Sequence, residues 1–513
     1  MKKIKYLTTV LAASLFSGYG SYAQDYSANI FEGHSDVGSC ALKGELQFVP
    51  QTREYILTGS GDNIWFGEDQ FHFIWKKLKG DFILTAGVSF MGEGSHEHRK
   101  AGWMLRHTLD TDSPHVSGTI HGDGLTSLQY RAVKGAETYE RRSTVTAPDV
   151  IQLERRGDKI IFSCAVAGNP FDTLMITTGL NDGEIYAGLF ICSHDNTVRE
   201  SVRFTNLRIT RPAKADFVPY RDYLGSNLEI LDIETGLRRV VFQAPNSIQA
   251  PNWTPDGKYL IYNSEGLLYR FDIAAGKPEV INSDFATNNN NDHVLSFDGS
   301  MLGISHHVAD EDSKSIIFVM PAGGGKPERI TAKGPSYLHG WSPDGRWLTY
   351  TAERSGEYDI YKISVDRKEE IRLTNAPGLD DGSEYSPDGR YIYFNSARTG
   401  TMKLWRMKPD GTDQEQLTFD GYNDWFPHVS PDGRQVVFLS FMPDVRADDH
   451  PFYKHVYIRR VTISGHDTDR QDFASSTPEV IAYLYGGQGT INVPSWSPDG
   501  KQIAFVSNSG PIE

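Results

Sequence analysis

Cysteine is nearly missing. The chain has three, Cys40, Cys164 and Cys192, all in its first half. Three thiols cannot all pair, so no disulfide framework builds this protein. Small buried apolar residues in strands, as in Ile160-Ile161-Phe162-Ser163-Cys164, are the simpler expectation for them. Positive charge is also short. Against 51 Lys and Arg stand 66 Asp and Glu, a formal net charge of −15. That balance argues against nucleic acid as a partner and gives no global attraction for acidic glycans. No sustained helical period is present, and beyond the N-terminus no apolar run is long enough to span a membrane. What is plentiful is hydrophobic and aromatic side chain, 39% and 12% of 513 residues, enough to core two or three domains.

Residues 1–24 read as a secretory signal. Lys2, Lys3 and Lys5 precede an apolar stretch from Tyr6 to Phe16, and Ser21-Tyr22-Ala23 ends in the small residue that cleavage needs. Removing three lysines takes the charge from −15 to −18. No cysteine follows the apolar run, so no lipid anchor is expected, and the expected location is periplasmic or secreted.

The rest of the chain is organised by a short phrase, Trp341-Ser342-Pro343-Asp344-Gly345. It recurs from Trp253 (with Thr254 for serine), Tyr385, Val429 and Trp496, with a degraded copy from Leu295. The six glycines, Gly257, Gly299, Gly345, Gly389, Gly433 and Gly500, are spaced 42, 46, 44, 44 and 67 residues apart. Proline presets φ for a tight turn, aspartate suits the next position and glycine closes it. β-rich runs such as Trp347-Leu348-Thr349-Tyr350 and Tyr391-Ile392-Tyr393-Phe394 flank these turns. Each unit therefore predicts a hairpin followed by a second hairpin, four strands per ~45 residues, one propeller blade. This texture, with trailing strands Arg329-Ile330-Thr331, Arg372-Leu373-Thr374 and Gln416-Leu417-Thr418, resembles the TolB-type six-bladed β-propeller over residues ~213–513. The propeller opens on an outer half-blade, Asn227 to Phe242, and the chain ends just after an inner half, so the two ends are expected to close one blade.

Residues 25–211 lack the phrase and show alternating strands, such as Asp81-Phe82-Ile83-Leu84-Thr85-Ala86, punctuated by turns. A two-sheet sandwich is predicted. Lys79-Gly80-Asp81-Phe82, Lys100-Ala101-Gly102-Trp103-Met104-Leu105-Arg106 and the closing Val202 to Ile209 resemble the concanavalin-A-like (laminin-G-like) jelly roll. The expected order is signal 1–24, sandwich 25–211, linker 212–226 and propeller 227–513, an all-β chain.

Opposite the repeated turns, the loops entering and leaving the inner strands collect the chemistry. Entering loops bring Asn291, Asp292, His293, His339, Asp380, Asp381, Glu384, Asn423, Asp424, His428 and Asn492. Leaving loops bring His306, His307, Glu353, Arg354, Arg398, and Arg446, Asp448, Asp449 and His450. Asp381, Glu384 and Asp424 are candidate acids or bases. His293, His339 and His428 are candidate proton carriers or ligands of a divalent metal, the one cofactor this set suggests. Arg354 and Arg398 leave equivalent positions of adjacent blades and could clamp a carboxylate or sulfate. Trp425 and Tyr337, in entering loops beside carboxamides such as Asn492 and acids, suit a sugar ring, or wedge between blades. The plainer alternative is that these Asp and Asn residues shape turns and each histidine is a satisfied polar residue. Oligogalacturonate lyases have a related repeat texture, with histidines, a glutamine and an arginine at the channel. Gln249 lies in a comparable loop here, but no motif matches residue by residue. Three functions are expected: carbohydrate recognition by mouth and sandwich; a polysaccharide lyase or glycosidase; or an envelope protein-interaction platform, as TolB is, with a peptide segment in the mouth.

Overall fold

The computed structural model describes residues 29–180, 183–463 and 477–512. The expected signal segment lies outside them. Among the described residues no helix is long and apolar enough to cross a membrane, and the chain is all-β.

The first half forms two seven-stranded sheets. Side-chain alternation sets their core. In Lys100–Arg106, Ala101, Trp103 and Leu105 meet Leu84, Leu153, Phe162 and Phe204 of the other sheet. The intervening face is polar and yet buried, with Lys100, His115, Ser117, Thr119, His121 and Gln129 along it. Cys164 and Cys192 are buried and Cys40 half-buried, all three as free thiols. Burial raises them to about 11 or 12.

The second half is a six-bladed β-propeller. Five blades are four-stranded sheets of consecutive strands, beginning at Gln249–Trp253, Asn289–Leu295, Ser336–Trp341, Asp380–Tyr385 and Asn423–Val429. The sixth joins the two ends of the propeller sequence. Gln502–Ser509 pairs with Gly225–Asp232, which pairs with Arg238–Ala244, and Trp496 bridges Ile503 on the inner side. Closure leaves no free inner edge.

The repeated turns are built alike. Ser342 Oγ donates to Asp344 Oδ1 at 2.5 Å and accepts from Trp347 N at 2.9 Å, while Gly345 N donates to Ser342 O at 2.9 Å. All six turn glycines have φ between 69° and 72°, a left-handed geometry that other residues adopt only with strain. Neighbouring turns also touch. A Cβ on Gly299 would meet Pro255 at 2.8 Å, and one on Gly257 would meet Pro498 at 3.9 Å, across the closure.

The two halves are docked. Gly168 bridges Val480 of the fifth blade. The Phe171 amide donates to Tyr457 Oη at 3.1 Å, Tyr483 Oη donates to Asn169 O at 2.5 Å, and His455 lies 3.0 Å from Glu154. Ala165, Val480, Tyr457 and Tyr483 share a small apolar core with Phe171 at this contact.

Candidate functional site

The inner strands are not plain. Five of the six blades have a register shift in this strand, as between Asp381 and Glu384 and between Trp425 and His428. Ala250, Gly382 and Phe426 take positive φ at these points. A bulge adds one residue and restores facing to positions three apart. That is how Asp381 and Glu384, each 8% exposed, both reach the channel side instead of alternating.

Two imidazole–carboxylate pairs result. His339 Nε2 is 2.9 Å from Asp381 Oδ1, which also accepts from Thr351 Oγ1 at 2.6 Å. His428 Nδ1 is 2.5 Å from Glu384 Oε2, and its Nε2 faces the Ile491 carbonyl. Asp292 is near enough to His339 and Asp381 for their charges to act on it, and it accepts from Asn290 Nδ2 at 2.9 Å. Burial works to lower the His339 pKa, but Asp381 and Asp292 overcome it and raise it to about 9. Burial likewise opposes ionisation of Asp381, yet His339 holds it down at about 2. Asp292 has the opposite fate. Burial pushes it up to about 6, against the attraction of His339 and with added repulsion from Asp381. The result is a carboxyl–imidazolium–carboxylate line with one more acid than cation. His450, from the loop after the fifth blade's second strand, adds a ring 4.0 Å from Asp381 Oδ2.

Several expected site residues serve the scaffold. Asp424 is fully buried and held by Arg459 at 2.6 Å and Ser440 at 2.8 Å, so its carboxylate is not available as an acid or base. Trp425 is 0% exposed and packed edge-on against His450 at 4.5 Å. It offers no face to a sugar, because Phe426, Phe441 and Ile491 share a buried apolar cluster with it. Arg354 donates to Pro335 O and Ser336 Oγ and approaches Glu370 at 3.3 Å. Arg398 donates to Asp380 at 2.9 Å and Gln414 at 2.5 Å. Each guanidinium is thus committed within its own blade, and the clamp does not form. Gln249 donates to Ser247 Oγ, and Asn492 binds Gly489 N and Gln488; both shape loops.

The three expected metal ligands do not converge. His293 is turned to the Ile261 carbonyl at 3.3 Å, and burial lowers it to about 4. His339 and His428 each have their own carboxylate. Among the described residues, no three propeller acids and histidines bring ligand atoms close enough to share an ion.

Beside Tyr337, which the entering loop already points to, lie aromatics with no signal in the sequence. Tyr220 and Tyr223 come from the linker, and Tyr358 from a third strand; all three are exposed. Tyr220 is near enough to Asp449 and Asp292 for their charges to act on its phenol, and Tyr337 to Asp292 and Asp381. Tyr220 also packs edge-on against Phe452 at 4.9 Å. An exposed aromatic in an interdomain segment carries no periodic signal, which is why it escaped notice.

A family profile, the TolB beta propeller domain (PD40), matches residues 339–446. The uncharacterized protein Atu1656 of Agrobacterium fabrum is 48% identical over 282 residues, 55% of this chain and 92% of that protein. A solved structure of a TolB-type protein from Agrobacterium tumefaciens is 46% identical, with a TM-score of 0.52, and covers 56% of this chain and 99% of its own. The Tol-Pal system protein TolB of Bordetella pertussis is 29% identical over 149 residues, 27% of this chain, which spans only 32% of that relative. By repeat, ring closure and this likeness, the chain belongs to the TolB-type β-propeller family.

Proposed function

We propose that this is a periplasmic interaction protein whose propeller mouth takes a segment of a partner envelope protein bearing a cationic side chain. The observation that carries this reading is the Asp292–His339–Asp381 line, with its excess carboxyl. A lysine or arginine entering past Tyr358 and Tyr220 would meet aromatic faces first and then that carboxyl. Asp381 keeps 11% of its side chain exposed, enough for a single polar group to reach it. The Tol-Pal name of the Bordetella relative supports an envelope setting.

Carbohydrate recognition is the second reading. The exposed rings of Tyr220, Tyr223 and Tyr358 favour it, being a surface of the kind Trp425 does not supply. So does a jelly-roll reading of the two seven-stranded sheets. A lyase or glycosidase finds less support, since Asp424 is locked to Arg459 and Asp381 stays ionised beside His339.

The test is a binding comparison of the full chain against arrays of basic peptides and of glycans, with Tyr358→Ala and Asp381→Asn as variants. Binding of a basic peptide that falls at least tenfold in both variants supports the proposal. Binding of glycans alone, or peptide binding indifferent to both substitutions, overturns it.

A further inference from the structure

The densest group of imidazoles lies in the N-terminal domain, away from the propeller. His96 and His98 sit in the loop before Lys100–Arg106, His121 ends His115–His121, and His194 follows Glu184–Cys192. The rings of His96 and His194 stack at 4.4 Å, and His98 lies 5.8 Å from His121 and 5.6 Å from His194, centroid to centroid. His98, His121 and Asp123 each bring a ligand atom within 4.8 Å of the other two.

We propose that His98, His121 and Asp123 form a binding site for a divalent transition metal of the zinc class. Two imidazoles and one carboxylate are a borderline donor set that suits zinc, cobalt, nickel or copper better than calcium or magnesium. Three protein ligands leave a fourth position for water or for His194.

Two observations point to an ion rather than to a chance cluster. First, His121 is only 7% exposed, and its Nδ1 has no hydrogen-bond partner, nor has the buried Nδ1 of His98. A buried ring nitrogen left unbonded is destabilising, and a metal ion would satisfy both. Second, His98 Nδ1 is 3.8 Å from Asp123 Oδ2. That is too far for a hydrogen bond but near the ~3.4 Å edge of a tetrahedron with zinc-like bond lengths.

The surroundings hold the ligands ready. Asp123 Oδ1 accepts from Leu125 N at 3.0 Å, which leaves Oδ2 turned to His98. The Asp123 amide donates to Glu97 O at 2.8 Å, and Gly122 N donates to Arg99 O at 2.9 Å, lacing the two loops together. Gly122 permits this approach, since a Cβ there would sit 3.0 Å from the carbonyls of Glu97 and His96. Gln129 Nε2 lies 3.1 Å from His121 Nε2 and its Oε1 has no partner, so a half-turn of the carboxamide exchanges the two. With its oxygen toward the ring it would accept the Nε2 proton and free the Nδ1 lone pair for a metal. Lys100 is a nearby cation that opposes an ion, and its ammonium is engaged by Asn63 at 2.7 Å.

The test uses the full chain made without a polyhistidine tag and stripped with a chelator. Titration with zinc and with cobalt is followed by calorimetry and, for cobalt, by visible absorption. The expected result is one ion per chain and a higher melting temperature. His98→Ala and Asp123→Asn, both at accessible positions, should each weaken binding at least tenfold and abolish the cobalt spectrum, while His307→Gln in the propeller should leave both unchanged. No stoichiometric binding of either ion, or binding that survives both N-terminal substitutions, overturns the proposal.

Discussion

Arg208 Nη2 donates to Glu229 Oε2 at 2.6 Å, and the two residues belong to different domains. Arg238 takes the other oxygen at 2.9 Å, and Ser507 donates to it at 2.5 Å. Burial would raise the Glu229 pKa, but the two guanidinium groups hold it at about 2. Removing one partner of a buried ionic group strands the others. Glu229→Ala should therefore cost about 3–5 kcal/mol in chemical denaturation, and both domains should weaken together. Since the pKa is depressed, this contribution is present above about pH 4.5 and is lost as pH falls toward 2. Unchanged unfolding midpoints in the variant would show that the domains are not coupled through this carboxylate.

His339 gives a slope at the other end of the pH scale. Its pKa rises from 6.5 to about 9 on folding. The stabilisation is complete below pH 6.5 and disappears as pH rises through 9, with a ceiling of about 3 kcal/mol. Urea midpoints measured from pH 6 to 8.5, below the range in which the thiols ionise, should fall more steeply for the wild type than for His339→Gln.

Asp292 behaves in the reverse sense. Its carboxyl is harder to ionise in the folded state, at about 6 against 3.8. Folding therefore loses stability as pH rises from 3.8 through 6. Asp292→Asn should stabilise the protein by about 1–2 kcal/mol at pH 7.5, net of the lost attraction to His339, and leave it little changed at pH 3.5. Destabilisation at pH 7.5 would mean that the attraction to the His339 imidazolium outweighs the cost of burying the charge.

Trp425 separates scaffold from surface. Its complete burial predicts a loss of about 3–5 kcal/mol for Trp425→Ala by thermal or chemical unfolding. Trp425→Phe, by contrast, should keep ligand affinity within about twofold, in contrast to the effect of Tyr358→Ala. A large affinity loss from Trp425→Phe alone would restore the sugar-stacking role.

Much of the ring was legible because turns have strict demands. Pro343, Asp344 and Gly345 can do little else in sequence, and their spacing gave the blade length, the blade number and the half-blade at each end. The mouth was legible as a region but not residue by residue. In a strand, neighbours such as Asp292 and His293 face opposite ways, and composition does not say which faces the axis. The register shifts then reverse the alternation partway along, so that Asp381 and Glu384 fall on one side. The partners that commit Arg354 and Arg398, Ser336 and Asp380, lie 18 residues away on the chain, and only pairing across strands brings them near. The N-terminal histidines come from three separated loops and share no spacing that a sequence would display.

The sixth blade has a consequence for biosynthesis. Gly225–Asp232 is among the first propeller strands to leave the ribosome, but its inner neighbour, Gln502–Ser509, is among the last. Until then a nascent chain holds an arc with an unzipped seam, and two ribbon edges are open to any passing β-strand. Export in an unfolded form, with the final zip made only after delivery, would keep that arc from meeting other chains while half made.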